Sequence, residues 1–264
     1  MSYQLVEIER RHKGVTWIQI NNPPANAISR ELMEELERAV KELTFDSSTR
    51  VVVIASKNPK IFLAGADLKG MILGSSDIAD SDNFIEHESA RMQACFQKFA
   101  DMPKPVIAAI NGYALGGGCE LALACDFRLM GNGKIGLTEV SLGLIPGAGG
   151  TQRMTEIVGR AKATELIFLA RKLEATEAEE IGLIHRAVDP NYFEEEVTAF
   201  AGELAVGAVH AMGLAKKAIN ATGKGLKEGL KVEAKAFAET FSSDEPSIGL
   251  AAFFQKQKAN FLDG

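Results

Sequence analysis

The chain has 264 residues and a mass of 28.4 kDa, long enough to bury one large core or a core with an appendage. Hydrophobic residues at 46% and charged residues at 24% give the balance of a globular protein and exclude a disordered or fibrous chain. The net charge is -6, no run of basic residues is present, and there are only one Trp and three Tyr, which argues against nucleic acid as the main partner, since that reading wants a basic face with interleaved aromatics.

Residues Leu5 to Ile8 and Val15 to Ile20 are short apolar or alternating runs separated by a polar, Gly-containing turn, the pattern of a β-hairpin. Ser29 can then cap a helix in which Leu32, Met33, Leu36, Val40 and Leu43 recur every three or four residues, giving one apolar face to pack on a sheet. Val51 to Ala55 is β-branched and apolar without alternation, as in a strand buried on both faces. A helix is expected from Phe84 to Ala100, ahead of Pro103, and Val106 to Ile110 is a second fully buried strand. This order argues for an α/β layered core. From about Gly150 the pattern turns helical: Gln152 to Val158, Ala161 to Ala170, Thr176 to Ile181, Phe193 to Ala205 and Leu226 to Phe241. The last places Leu226, Leu230, Phe237 and Phe241 on one stripe, with Phe253, Phe254 and Phe261 beyond it. So many apolar stripes fit either a neighbouring subunit or a thick helical layer on one monomer. No internal repeat is readable.

The cysteines Cys95, Cys119 and Cys125 are odd in number and lack disulfide or zinc spacing, which places the chain in a reducing compartment. The N-terminus is too polar for a signal sequence, and the longest apolar stretch, Val106 to Phe127, is interrupted by Asn111, four glycines and Glu120. The expectation is a cytoplasmic protein that does not span a membrane. Four histidines without ligand spacing argue against a metal site.

Glycine concentrates at Gly65, at Gly116 to Gly118, and at Gly147, Gly149 and Gly150. The triple glycine follows a buried strand and precedes helix formers, so it stands either at a tight strand-to-helix turn or at a helix N-terminus whose free N–H groups favour a developing negative charge. It fits neither a dinucleotide fingerprint nor a P-loop. Glu120 lies in the first turn after these glycines among Leu121, Ala122, Leu123 and Ala124, and Glu139 is flanked by Leu137, Val140 and Leu142. Each is open to a solvent-facing reading: Glu120 as a complement to the helix dipole, Glu139 as a charge on an exposed loop. Brought into one pocket, the two would form a carboxylate pair with separated proton affinities, suited to general acid and base work on water.

At Ala64-Gly65-Ala66-Asp67, at GYALGGGCELALACD and at IPGAGGTQR, the chain resembles the crotonase superfamily and specifically its enoyl-CoA hydratases, from Asn21 to the C-terminus. The resemblance implies an α/β fold: a crotonase-like spiral of ββα units over 1–195, with a C-terminal helical trimerisation region over 196–264 that assembles trimers or dimers of trimers. It implies an acyl-CoA thioester substrate, with coenzyme A as part of that substrate and no separate cofactor. The amides of Ala66 and Gly117 would form the oxyanion hole, and Glu120 and Glu139 would be the catalytic pair adding water to a 2-enoyl-CoA. Family isomerases generally keep one carboxylate, so two favour hydration; an isomerase or another acyl-CoA lyase is the alternative, and a non-catalytic RNA-binding relative is disfavoured by the charge of -6. Ala25, Ala64, Asp67, Leu68 and Lys69 match the CoA-contacting positions, as does Lys256, where this chain reads Q-K-Q-K in place of the family's E-K-R-K. The stretch MILGSSDIADSDN after Lys69 is placed by the resemblance near the acyl chain.

Overall fold

The computed structural model describes residues 3–66 and 81–262. The hairpin forms as expected: Val6–Arg10 (β1) pairs antiparallel with Val15–Ile20 (β2), Val6 opposite Ile20. Ser29 does cap the first helix, its hydroxyl accepting the Leu32 N–H at 3.2 Å. That helix, Arg30–Phe45 (α1), buries Leu32, Met33, Leu36, Val40 and Leu43, the stripe set by their spacing. Truncating one of them, Leu36→Ala for instance, costs about 2–5 kcal/mol.

All six residues of Val51–Ser56 (β3) are buried. It runs parallel to β2 and to Val106–Ile110 (β5), and Phe127–Met130 (β7) and Arg186–Ala187 (β9) extend the sheet in the order β1-β2-β3-β5-β7-β9. Successive strand side chains point to opposite faces. Val52, Ile54, Val106 and Ala108 therefore join α1 and the helix Ser81–Ala100 (α2) in one core. Val51, Val53, Ile107 and Ala109 join Val197, Ala201 and Ala205 of a later helix, Phe193–Ala205, in a second core on the other face. This double burial is why these strands lack alternation.

Three very short strands, Ile61–Leu63 (β4), Tyr113–Leu115 (β6) and Ile135–Gly136 (β8), make a second parallel sheet in the order β4-β6-β8. The chain thus passes from the large sheet to the small one and into a helix three times: β3 to β4 to α2, β5 to β6 to Gly117–Ala124 (α3), and β7 to β8 to Gly150–Phe168 (α4). These are the turns of the ββα spiral. The two helical patterns expected at 152–158 and 161–170 are one element, α4, broken at Gly159 (φ 77°, ψ 157°). Ala175–Glu180 (α5) and Phe193–Ala205 (α6) follow. Val209–Ile219 (α7) and Glu245–Phe254 (α9), on either side of Leu226–Thr240 (α8), are helices the apolar spacing had not marked. Lys216 of α7 is buried, and its ammonium donates to Asp126 Oδ2 (2.8 Å) and to the Phe99 carbonyl (3.0 Å), tying the helical region to the core. The stripe of Leu226, Leu230, Phe237 and Phe241 is exposed, as are Phe253 and Phe254. Among the described residues no single helix is long and apolar enough to cross a membrane.

Candidate active site

The short helix α3 carries the centre of the site, and all eight of its residues are buried. It starts directly after β6 through Gly116, whose φ of 54° is open only to glycine at low cost. At Gly118 a Cβ would lie 2.0 Å from the Leu63 carbonyl oxygen, so only glycine lets the helix start press against β4. Its far end is held by Arg128, 4% exposed, whose guanidinium donates to the carbonyls of Cys125 (2.8 Å), Ala122 (3.2 Å) and Leu183 (2.8 Å). The Ala122 and Cys125 carbonyls lie at the C-terminal end of α3, where a buried cation also complements the dipole.

Two backbone amides meet at the other end. A Cβ placed on Gly117 would lie 3.5 Å from the Ala66 nitrogen, and one on Gly65 would lie 3.4 Å from the Gly117 nitrogen. Gly117 is the first residue of α3, so its N–H has no partner in the helix. Ala66 bridges Ile28, but the bond runs from the Ile28 N–H to the Gly65 carbonyl (2.8 Å) and leaves the Ala66 N–H aside. Among the described residues, neither amide has an acceptor in the chain. Ala64 is joined to the loop that contains Ala25: its N–H donates to the Asn26 carbonyl at 3.3 Å. Asn26, buried at φ 51°, anchors that loop by donating to Ser56 Oγ (2.7 Å) and to the Phe62 carbonyl (3.2 Å).

Glu120 is 2% exposed, so its solvent-facing reading is overturned. Oε1 accepts the N–H groups of Ala148 (2.7 Å) and Gly150 (2.8 Å) in the IPGAGG loop. Burial raises its pKa to about 7, and the charge of Glu139 adds to the rise, against the pull of the two amides and of Arg153. Glu139 opens the 3-10 turn Glu139–Leu142 and is half-buried rather than loosely displayed. Its Oε1 would lie 3.2 Å from a Cβ on Gly116, and its Oε2 is buried with no hydrogen-bond partner among the described residues. Burial raises its pKa as well. The structure therefore brings Ala66, Gly117, Glu120 and Glu139 around the junction of β4, β6 and α3.

Lys256 stands exposed just after α9 at φ 55°, and no hydrogen bond or ion pair to these groups is present among the described residues. Asp67, Leu68, Lys69 and the stretch 71–80 lie outside the described residues. The amides of Ala148 and Gly150 and the side chain of Arg153 hold Glu120 and its loop, roles that escaped the reading of the sequence. The signal for the two amides was the glycine cluster at 147–150, whose partner could not be known without the fold. No cluster of His, Cys, Asp and Glu able to hold a metal occurs among the described residues.

The family model for enoyl-CoA hydratase/isomerase matches residues 10–264. A probable enoyl-CoA hydratase of Rhizobium meliloti is 39% identical, covering 99% of both chains, and the crotonyl-CoA hydratase of Syntrophomonas wolfei is 37% identical over 99% of both. Among solved structures, an enoyl-CoA hydratase from Bacillus anthracis superposes with a TM-score of 0.89 at 35% identity, over 99% of this chain and 100% of that one. With two amides that have no acceptor among the described residues beside buried Glu120 and half-buried Glu139 on a ββα spiral, these likenesses lead to one conclusion: the chain belongs to the enoyl-CoA hydratase/isomerase family.

Proposed function

We propose that this chain is a 2-enoyl-CoA hydratase, adding water across the 2,3 double bond of an acyl-CoA thioester to give a 3-hydroxyacyl-CoA. The observation that carries the reading is the placement of buried Glu120 and half-buried Glu139 next to two amides that have no acceptor among the described residues. In this mechanism the thioester carbonyl oxygen accepts the N–H groups of Ala66 and Gly117. Charge grows on that oxygen as the enolate-like transition state forms, and one preorganised donor of this kind is worth about 2.7–4 kcal/mol. Ionised Glu120 takes a proton from the water as its oxygen bonds Cβ, and protonated Glu139 delivers a proton to Cα. Both roles need pKa values lifted toward neutrality, and burial lifts both. The reaction as written calls for no metal and no redox cofactor.

Ala25, Ala64, Asp67, Leu68 and Lys69 are proposed to line the CoA portion, and Lys256 to reach the phosphate of CoA bound in an adjacent subunit. The exposed apolar stripes of α8 and α9 support a homo-oligomer, a trimer or dimer of trimers, built through the region 196–264. Three free, buried cysteines support a cytoplasmic setting. The test is loss of the conjugated enoyl-thioester absorbance on adding crotonyl-CoA and longer 2-enoyl-CoA substrates. Turnover is expected with at least one of them. No loss with any of them, or double-bond migration without hydration, overturns the reading, the latter in favour of a single-carboxylate isomerase.

A further inference from the structure

The loop that grips Glu120 is itself gripped. Ser89, Gln93 and Gln97 are spaced four apart on α2 and so share one face of it. Ser89 Oγ (2.7 Å) and Gln93 Nε2 (2.9 Å) both donate to the Gly147 carbonyl. That carbonyl belongs to the same peptide unit as the Ala148 N–H, which donates to Glu120 from the other end. The second peptide unit that binds Glu120, 149–150, has its carbonyl taken by the backbone N–H groups of Arg153 (2.9 Å) and Gln152 (3.2 Å). Arg153 completes the arrangement with its side chain: Nη1 donates to the Ala148 carbonyl (3.0 Å) and Nη2 to Gln97 Oε1 (2.8 Å). A Cβ on Gly149 would lie 2.3 Å from Nη1, so the loop is folded directly against the guanidinium.

We propose that Arg153, anchored by Gln97, is a positioning residue for Glu120: its side chain fixes the 148–149 peptide unit, which joins the two units that donate to the carboxylate, and places a cation that sets the pH range over which Glu120 exchanges protons. The proposal rests on the reading of Glu120 as a proton-transferring group. The charges facing Glu120 come from three elements: Glu139 on the 3-10 turn opposes its ionisation, Arg153 on α4 favours it, and Cys119 beside it on α3 is held as the neutral thiol by burial. Burial pulls the Arg153 pKa down, and Glu120, Cys125, Glu156 and Asp101 oppose that pull. A planar, permanently charged fork suits this double duty, since a neutral donor could hold the Ala148 carbonyl but would leave Glu120 opposed by Glu139 alone.

The experiment is the pH dependence of kcat/KM for hydration in wild type, R153Q, R153K, Q97L and E120Q. The active form pairs ionised Glu120 with protonated Glu139, so the acid limb of the kcat/KM profile, where activity rises with pH, reports Glu120, and loss of the cation moves that limb upward. In R153Q the midpoint is expected to climb by about one pH unit, an approximately tenfold loss at pH 6 that largely disappears above pH 8.5. Q97L should shift it less in the same direction. R153K should restore the midpoint while leaving a pH-independent loss from the missing fork. The Glu120 carboxyl resonance, identified in a carbon NMR titration as the one absent from E120Q, should move with the kinetic midpoint. An inactive E120Q with R153Q lowered equally at every pH overturns this proposal and leaves the role of Glu120 standing; an active E120Q overturns that role itself. If R153Q does not fold, Q97L carries the test, and an unmoved midpoint in Q97L overturns the proposal.

Discussion

Gly150→Ala tests whether the placement of Glu120, rather than its mere presence, governs turnover. Gly150 is the first residue of α4 and adopts a backbone conformation open to any residue. Its added methyl would lie 2.9 Å from Glu120 Cγ, 2.9 Å from Glu120 Oε1 and 2.9 Å from Leu137 Cδ2. Ordinary carbon contacts begin near 3.5 Å, so the carboxylate and the leucine must yield by roughly 0.6 Å. Oε1 now accepts its two amides at 2.7 and 2.8 Å, and a displacement of that size takes both bonds to the edge of the hydrogen-bonding range. Misplacement by about 1 Å can cost about 10²-fold in rate, so kcat/KM should fall by about 10- to 10²-fold. Stability changes less: overpacking costs about 1–3 kcal/mol, and replacing a helical glycine returns up to about 1 kcal/mol. The matched control is Gly202→Ala in α6, where the new methyl meets nothing within 4 Å; it should raise the melting temperature and leave hydration unchanged. The assay is enoyl-thioester absorbance beside a thermal melt for each variant. A Gly150→Ala protein that melts a few degrees lower but hydrates within twofold of wild type would refute the link between carboxylate placement and rate.

Glu120→Gln and Glu139→Gln should each lower hydration by at least ~10², and the double variant should lose less than the product because the pair handles one water; a fully active Glu139→Gln would sink the two-carboxylate mechanism. Glu120 also gives a signed stability prediction. Its folded pKa of about 7 exceeds the ordinary 4.5, so the folded state holds the proton more tightly and stability falls as pH rises from about 4.5 to 7, by roughly 3 kcal/mol. Glu120→Gln should therefore be more stable than wild type at pH 8 and equal to it near pH 4 in denaturant titrations, and equal destabilisation at both pH values would contradict this. For assembly, light scattering should report a species well above 28.4 kDa, and Phe237→Glu on the exposed α8 stripe should lower the mass; a wild-type monomer would remove the adjacent-subunit role proposed for Lys256.

Long elements with one strong pattern were legible from the amino-acid order. The stripe of α1, its Ser29 cap and the unalternating β3 and β5 all carry signals that span five residues or more. The small sheet was not legible, because β4, β6 and β8 have three, three and two residues, too few for any period to register. That is also why the ββα repeat stays hidden in a chain whose backbone repeats it three times. In α7, Gly213 interrupts the helix-forming sequence because a Cβ there would lie 2.4 Å from the Pro103 carbonyl oxygen, a tertiary reason with no local trace. The motifs singled out Ala66, Gly117, Glu120 and Glu139, which the fold brings together at the candidate site. What they could not convey was that the Gly147–Gly150 amides bind Glu120, since that contact joins residues 28 and 30 positions apart.

The large sheet ends on one side in β1 and on the other in the two-residue β9. Open strand edges are templates for pairing with another chain, and both ends here are blunted. β9 is too short to recruit a partner strand. β1 carries Glu7, Glu9 and Arg10, and its entry is covered from α1 by Glu35, whose carboxylate accepts the N–H groups of Gln4 (2.9 Å), Leu5 (2.8 Å) and Val6 (3.1 Å). A sheet closed at both margins cannot grow sideways into fibrils, so protomers meeting in a concentrated solution are left with their helical surfaces as the way to associate. Glu35→Ala would bare the edge that the carboxylate now guards, and the first symptom should be slow, seeded aggregation at a pH where wild type stays clear.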